Sequence, residues 1–299
     1  MQCESVLRSV LERVKTPHLT LSVVWRATGP HLNGYSLLRE MYEPKGVHFF
    51  QQSGSISFFR HVLPRLWVPR NLYHWLKHDY VRKADNFKPL LEQVIAETPA
   101  DFVSFNTDDN IYYRDELLPE AVFKRIREKP YDASYRVYVG GNLSYCPKTL
   151  RRDGDLLSWD YLDPVLRDHW AYPFSVDGTF YARSALLDVI HRVLYHNPVT
   201  LESYLVSYVK SQRLLREGFS PLCSSMVGLS LNKVSFIAAQ NRRGNLSVES
   251  LNNLFLDGYR LEHELPDPLT DSSFVPRQVF PVRGGQRVTL PVGRDPQGM

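Results

Sequence analysis

The stretch Phe102-Val103-Ser104-Phe105-Asn106-Thr107-Asp108-Asp109-Asn110-Ile111-Tyr112-Tyr113 largely decides the fold predicted for this chain. An apolar run rich in Val and Phe, typical of a buried strand, ends here in two adjacent carboxylates. Ligands of open α/β sheets bind outside the carboxyl ends of the strands, so Asp108 and Asp109 are predicted to lie at a binding site. A divalent cation that also binds a diphosphate would relieve the repulsion between them. The stretch therefore favours an enzyme that acts on a nucleotide-activated substrate.

The composition narrows the class of protein. The chain has 299 residues, 43% of them hydrophobic, which is enough for a large core in one or two domains. Its net charge of +4 gives no case for nucleic-acid binding. Three widely spaced cysteines, Cys3, Cys146 and Cys223, form neither a disulfide framework nor a zinc motif, which favours a reducing, cytoplasmic setting. We expect no secretory signal in residues 1–15, and no run approaches the ~20 apolar residues of a membrane span.

The first half of the chain alternates between strand and helix patterns. Hydrophobic periodicity predicts strands at 19–25, 47–50 and 102–106, and helices at 4–14, 35–42, 58–66, 72–84, 87–96 and 117–129. This order favours an α/β fold built on a Rossmann-type, mainly parallel sheet with helices on both faces.

The second half continues with a strand at 135–139, a turn and strand over 172–181, and helices at 184–194, 200–217 and 248–256. We expect residues 1–275 to form a single domain, with a nucleotide-binding half at about 19–130 and an acceptor half at about 131–265. Residues 276–299 are rich in Pro, Gly and Arg and are expected to form an arm or a flexible tail. Basic residues in that segment would allow peripheral membrane contact, namely Arg277, Arg283, Arg287 and Arg294.

In pattern and order the chain resembles a nucleotide-sugar glycosyltransferase of the GT-A fold, and bacterial surface-polysaccharide enzymes are nearest to it. The resemblance covers roughly residues 19–265 and rests on four segments, namely 23–28, 106–110, 170–181 and 197–202. The second segment stands in the place of the family's Asp-x-Asp metal motif but reads Thr-Asp-Asp-Asn. Arg26-Ala27-Thr28 replaces the Tyr-Asn pair of many bacterial members, and a lone Glu202 replaces the usual Glu-Asp pair.

The resemblance implies roles for individual residues. Asp109 would be a ligand of Mn²⁺ or Mg²⁺, with Asp108 a second ligand or a ribose contact and His263 an additional ligand. Glu202 would accept the proton of the acceptor hydroxyl, and Asp177 competes with it as base or as a sugar-binding residue. The residues implied in donor binding are Arg26, Thr28, Asp108, Asn110 and Trp170.

Each of these residues also has a structural interpretation that the sequence leaves open. Asp108 and Asp109 could cap a strand-to-loop junction, and Asp177 precedes Gly178 as in an ordinary turn. Glu202 could simply favour the helix dipole, because it follows a predicted Thr cap. Trp170 could belong to the aromatic core, and His263 could be a solvated histidine.

The expected function is metal-dependent transfer of a sugar from a nucleoside-diphosphate sugar to a hydroxyl of a saccharide or lipid-linked saccharide. Inversion at the anomeric carbon is expected if Glu202 is the base. Two alternatives stay open. One is a sugar-1-phosphate nucleotidyltransferase, although residues 26–34 offer only Arg26, Gly29 and Gly34 toward its Gly-rich basic loop. The other is a non-catalytic binding protein built on a decayed transferase fold.

Overall fold

The computed structural model describes residues 1–16, 18–54, 62–67, 69–77, 86–232, 244–262, 265 and 268–293. Within these ranges the helices are α1 (Gln2–Arg13), α2 (His31–Tyr42), α3 (Pro69–Lys77), α4 (Phe87–Glu97), α5 (Glu120–Glu128), α6 (Arg183–His191), α7 (Pro198–Gln212) and α8 (Val248–Leu256). The strands are β1 (Leu21–Trp25), β2 (Val47–Gln51), β3 (Phe102–Phe105), β4 (Asn110–Tyr112), β5 (Ala133–Arg136), β6 (Arg151–Asp153), β7 (Leu156–Asp160), β8 (Thr179–Ala182), β9 (Glu217–Pro221), β10 (Met226–Leu229), β11 (Arg260–Glu262), β12 (Ser273–Phe274), β13 (Gln278–Arg283), β14 (Gln286–Arg287) and β15 (Leu290–Pro291).

The predicted α/β class is confirmed, and its sheets are mixed. Six strands form the largest sheet in the order β3-β8-β5-β9-β7-β6, in which β5 and β9 are parallel and the other neighbours are antiparallel. The pairs β1–β2 and β10–β12 are also parallel. Strand direction thus differs from the mainly parallel sheet predicted, because β8 runs antiparallel between β3 and β5. Apolar periodicity identifies a strand but carries no information on its direction.

Helices cover both faces of the six-stranded sheet, as predicted. Because side chains alternate along a strand, Phe102 packs against one core while Val103 and Phe105 pack against the other. The first core takes its helical residues from α1 and α5, with Ala185 from α6, and the second takes them from α4, α6 and α7. Burial of these apolar side chains on both faces is the main force that holds the sheet in place.

Some predicted segments differ in the structure. The helix predicted over 58–66 is a 3₁₀ turn at Leu63–Arg65, and residues 58–61 of that prediction, like 78–84 of the next helix, lie outside the described residues. Residues 278–291 were expected in an arm or flexible tail, but β13 pairs with β11, β14 and β15, and Val279 is buried. Apolar residues alternate with polar ones along β13, and this pattern is enough to form a strand although the segment as a whole is polar. The helix predicted over 200–217 ends at Gln212, because Arg213 adopts a left-handed backbone with φ of 54°. Residues 217–221 then form β9. Across the described ranges, the helices are all too short or too polar to cross a membrane.

Candidate functional site

A hydrogen-bonded group of polar side chains follows the carboxyl end of β3. The Thr107 Oγ1 atom lies 2.6 Å from Asp109 Oδ1 and 3.0 Å from Asp177 Oδ1. Asn110 Nδ2 donates to Thr107 Oγ1 and to Asp177 Oδ1, each at 2.7 Å. Ser230 Oγ donates to Asp109 Oδ2 at 3.1 Å. Two acids from distant parts of the sequence, Asp109 and Asp177, therefore share one hydrogen-bond donor, Thr107.

A single glycine brings Asp177 to the end of β3. The Gly178 N–H donates to the Phe105 carbonyl at 2.8 Å, and the Gly178 carbonyl accepts from Val137 N–H at 2.9 Å. Its φ is +47°, and a Cβ there would lie 2.5 Å from Met226 Cε and 2.7 Å from Val137 Cγ2. Only glycine fits this backbone crossing. The Asp177-Gly178 pair is thus a turn that also fixes the position of a carboxylate.

Glu202 reaches the same place from α7. The helix is capped by Asn197, whose side chain accepts from Thr200 N–H at 2.8 Å, so Asn197 is the cap in place of the predicted Thr200. Glu202 is the fifth residue of the helix and lies outside its first turn, which weakens the helix-dipole interpretation. Its Oε1 accepts from Val176 N–H at 3.2 Å, next to Asp177. The two candidates for the base are therefore neighbours.

The acids of this cluster repel one another. Burial, followed by the charges of Glu202 and Asp109, raises the pKa of Asp177 to about 7, against the opposing effect of hydrogen bonds from Asn110 and Thr107. Burial and then the charges of Asp177 and Asp109 raise the pKa of Tyr138 as well. Such shifts are typical of functional sites, where like charges are held together. The cluster would gain stability from a cation.

Asp108 faces a different environment from Asp109. Its side chain is exposed to solvent but lines a concave surface, and the surrounding protein together with Asp109 raises its pKa to about 6. Its charge acts on Tyr35, whose pKa is raised first by burial and then by Cys3 and Asp108. Because Tyr35 stacks on Trp25 with ring centroids 4.4 Å apart, the carboxyl ends of β1 and β3 lie at the same end of the molecule.

A cavity of about 1320 Å³ separates β1 from β3. Its wall includes residues of both strands, and near their carboxyl ends Arg26, Tyr35, Asn106, Thr107 and Asp108. Ligand pockets are usually ~300–1,000 Å³, so this cavity is large enough for a nucleotide with a sugar attached. The acid cluster lies beside it, since Thr107 belongs both to the cavity wall and to the cluster.

The structure brings together four of the residues predicted from sequence, namely Asp109, Asn110, Asp177 and Glu202, and it places Asp108 and Arg26 on the wall of the adjoining cavity. Thr28 is exposed in the loop before α2, and its carbonyl accepts from His31 N–H. His263 lies outside the described residues.

The prediction that Trp170 binds the donor is wrong. Its side chain is 1% exposed, its Nε1 donates to the Tyr145 carbonyl at 3.0 Å, and its ring packs edge-on against Trp159. Trp170 therefore has no exposed ring face for a sugar and belongs to the core, not to the donor site. A buried tryptophan removes a large apolar area from water, and this gain in free energy explains why Trp170 lies in the core.

Two site residues escaped sequence reasoning. Thr107 precedes the acid pair, just after an apolar run. A polar residue at the carboxyl end of a predicted strand could have been identified as a site residue on that ground. Ser230 follows β10, 121 residues beyond Asp109, and nothing local in the sequence connects the two.

The cluster fits a divalent cation that arrives with a phosphate ligand better than a closed metal cage. Among the residues that the structure describes, no three His, Cys, Asp or Glu side chains are arranged to hold an ion. Carboxylate oxygens are nevertheless the donors that Mg²⁺ prefers, and Mg²⁺ is commonly held by one or two carboxylates, water and substrate phosphates. Thr107 has one hydroxyl proton for two carboxylates, which leaves acceptor capacity at Asp109 and Asp177.

Comparison with protein-family models finds no match to this chain, and comparison with curated proteins finds none either. Its function is therefore inferred from the geometry and charge of the acid cluster and from the adjoining cavity.

Proposed function

We propose that this protein is a glycosyltransferase that moves a sugar from a nucleoside-diphosphate sugar to an acceptor hydroxyl with the help of Mn²⁺ or Mg²⁺. One observation carries the proposal: Asp109, Asp177 and Glu202 come from three separate segments and meet, with Asp108, beside a cavity of about 1320 Å³. Neighbouring acids at the carboxyl end of a strand suit a cation-bound diphosphate. The α/β fold agrees with the resemblance seen in the sequence.

The donor would lie in the cavity between β1 and β3. Asp108 and Asp109 would hold the cation. The cation would neutralise the negative charge that develops on the departing diphosphate. Arg26 on the cavity wall would add a positive charge toward the phosphates. Thr107 would keep Asp109 in place through the hydrogen bond of 2.6 Å between their side chains.

The acceptor hydroxyl would meet Asp177 or Glu202. A base takes the hydroxyl proton as the oxygen attacks the anomeric carbon and the nucleoside diphosphate leaves, and it works best with a pKa near the working pH. Asp177 meets this condition, since its pKa is raised to about 7. Glu202, adjacent to it, would either act as the base or hold the pKa of Asp177 high. A base on the side opposite the leaving group gives inversion.

The donor half of the proposal is tested by ligand-dependent stabilisation. Nucleoside diphosphates and nucleotide sugars, each with and without Mn²⁺, are added to the wild type, to Asp109→Asn and to Asp153→Asn, and the melting temperature is measured. Asp153 is an exposed carboxylate on β6, at the opposite edge of the sheet from β3. We expect Mn²⁺-dependent stabilisation by one nucleotide in the wild type and in Asp153→Asn, and its loss in Asp109→Asn. No nucleotide affinity at all would refute the proposal and favour a non-catalytic binding protein.

The acceptor half is tested by turnover of the donor found in that screen. Glu202→Gln and Asp177→Asn should both bind the donor, and the variant that lacks the base should turn over at least ~100-fold more slowly. Near-normal turnover by both variants would remove these acids from the chemistry. Release of pyrophosphate from a sugar 1-phosphate and a nucleoside triphosphate would instead identify a nucleotidyltransferase.

A further inference from the structure

The apolar face of α3 and of the turn before it points away from the protein. Trp67 is 87% exposed and Leu76 is 69% exposed, and Leu63, Leu72 and Tyr73 are exposed as well. Isolated exposed apolar residues are ordinary, whereas five of them within 14 residues of chain make this segment a candidate interaction site.

The orientation of α3 is fixed by Asn71. Its side chain is buried, with Nδ2 donating to the Arg192 carbonyl at 3.1 Å and Oδ1 accepting from Leu194 N–H at 3.3 Å. Successive residues of a helix are rotated by about 100°, so Leu72 and Leu76 lie on the side away from Asn71. The polar residue therefore holds the helix to the chain after α6, and the apolar residues are presented outward.

The sequence of this segment favours a partner of negative charge. Residues 60–77 contain four basic residues, Arg60, Arg65, Arg70 and Lys77, and no acidic one, so this segment alone has a net charge equal to the +4 of the whole chain. Helices that combine Trp and Leu on one side with Lys and Arg beside them bind in the interface of anionic bilayers. Trp and Tyr are favoured at that depth because their rings are apolar and carry a polar group.

We propose that α3 and the turn containing Trp67 dock the protein on the surface of an anionic lipid bilayer. Trp67, Leu72 and Leu76 insert among the lipid head groups, and the basic residues of the segment attract the anionic lipids. This docking does not depend on the proposed transferase activity.

The test is co-sedimentation of the full chain with lipid vesicles at low and high salt. One set of vesicles is phosphatidylcholine alone and the other also contains phosphatidylglycerol. The double variant Trp67→Ser with Leu76→Ser is compared with a control, Leu117→Ser with Val165→Ser, which changes two exposed apolar residues on other segments. Melting temperatures of both variants should stay close to that of the wild type, because all four side chains are exposed.

We expect the wild type and the control to bind the phosphatidylglycerol vesicles, less at high salt, and the α3 variant to bind at least about tenfold more weakly. Failure of the wild type to bind anionic vesicles would overturn the proposal, as would equal binding by the α3 variant. If the wild type instead formed a dimer that the α3 variant did not, in sedimentation velocity without lipid, the face would be a self-association surface and the proposal would be wrong.

Discussion

Asn110 donates a hydrogen bond of 2.7 Å from its Nδ2 to Oδ1 of Asp177, and so joins two residues that are 67 positions apart. Asn110 is buried at the start of β4, and Asp177 precedes β8. The bond fixes the carboxylate of Asp177 beside Asp109 and Glu202, where like charges would otherwise push it away. Hydrogen bonds to a carboxylate favour its charged form, so Asn110 also opposes the rise in the pKa of Asp177.

Removing the hydroxyl of Thr107 should shift the pH dependence of turnover. Thr107→Val deletes a donor that lowers the pKa of Asp177, so that pKa should rise further above 7. If Asp177 is the base, activity rises as Asp177 loses its proton, and the acid limb of the pH–rate profile should move upward by about half to one unit. Thr149→Val, at an exposed loop position, should leave the profile in place. An unchanged profile in Thr107→Val would show that another group controls this limb.

The Asp177→Asn variant should be more stable than the wild type at pH 8 and equally stable at pH 4. The folded state raises the pKa of Asp177 from the ordinary 3.8 to about 7. Well below pH 3.8 the carboxyl is protonated in both the folded and the unfolded protein, and stability falls as the pH rises from about 4 to 7. Removing the charge should recover about 1–3 kcal/mol of unfolding free energy at pH 8.

The measurement is urea unfolding of both proteins across this pH range, with Asp153→Asn as a control. Asp153 is exposed and lies at the far edge of the sheet, so its replacement should give no pH-dependent difference. A stability gain in Asp177→Asn that stayed constant from pH 4 to pH 8 would contradict the assigned pKa.

Gly178→Ala should destabilise the protein much more than Gly154→Ala. Both glycines have positive φ, +47° and +58°, so both substitutions carry backbone strain of about 1 kcal/mol. A Cβ at Gly178 would also clash with Met226 and Val137, whereas nothing lies within 4 Å of one at Gly154. We expect a further loss of about 2 kcal/mol or more at Gly178, measured by urea unfolding. Equal losses of unfolding free energy at the two positions would show that Met226 and Val137 move to make room for the added methyl group.

Trp170→Phe should lower stability and leave donor binding unchanged. Trp170 is buried beside Trp159, and the smaller ring leaves a cavity and removes the hydrogen bond to the Tyr145 carbonyl, at a cost of about 1–3 kcal/mol. The dissociation constant of the nucleoside diphosphate should equal that of the wild type. Weaker binding without loss of stability would return Trp170 to the donor site.

Sequence reasoning succeeded where the signal is local. The α/β alternation, the strand before Asp108 and the helix that carries Glu202 follow from apolar periodicity, which is set by contacts to a nearby core. It failed for the end of the helix at Gln212, where Arg213 takes a left-handed backbone that its residue type does not favour. It also failed for the tail, where alternation over the six residues of β13 was too short to stand out against a polar background.

The sequence by itself determined the class of fold and the acids available for chemistry, because strand and helix patterns and residue types are properties of short segments. Only the tertiary structure decided that Asp109, Asp177 and Glu202 meet, that Ser230 joins them and that Trp170 is buried in the core. These relationships join residues far apart in the chain. They depend on strand direction and on the tight crossing at Gly178, and both are fixed by packing across the whole sheet.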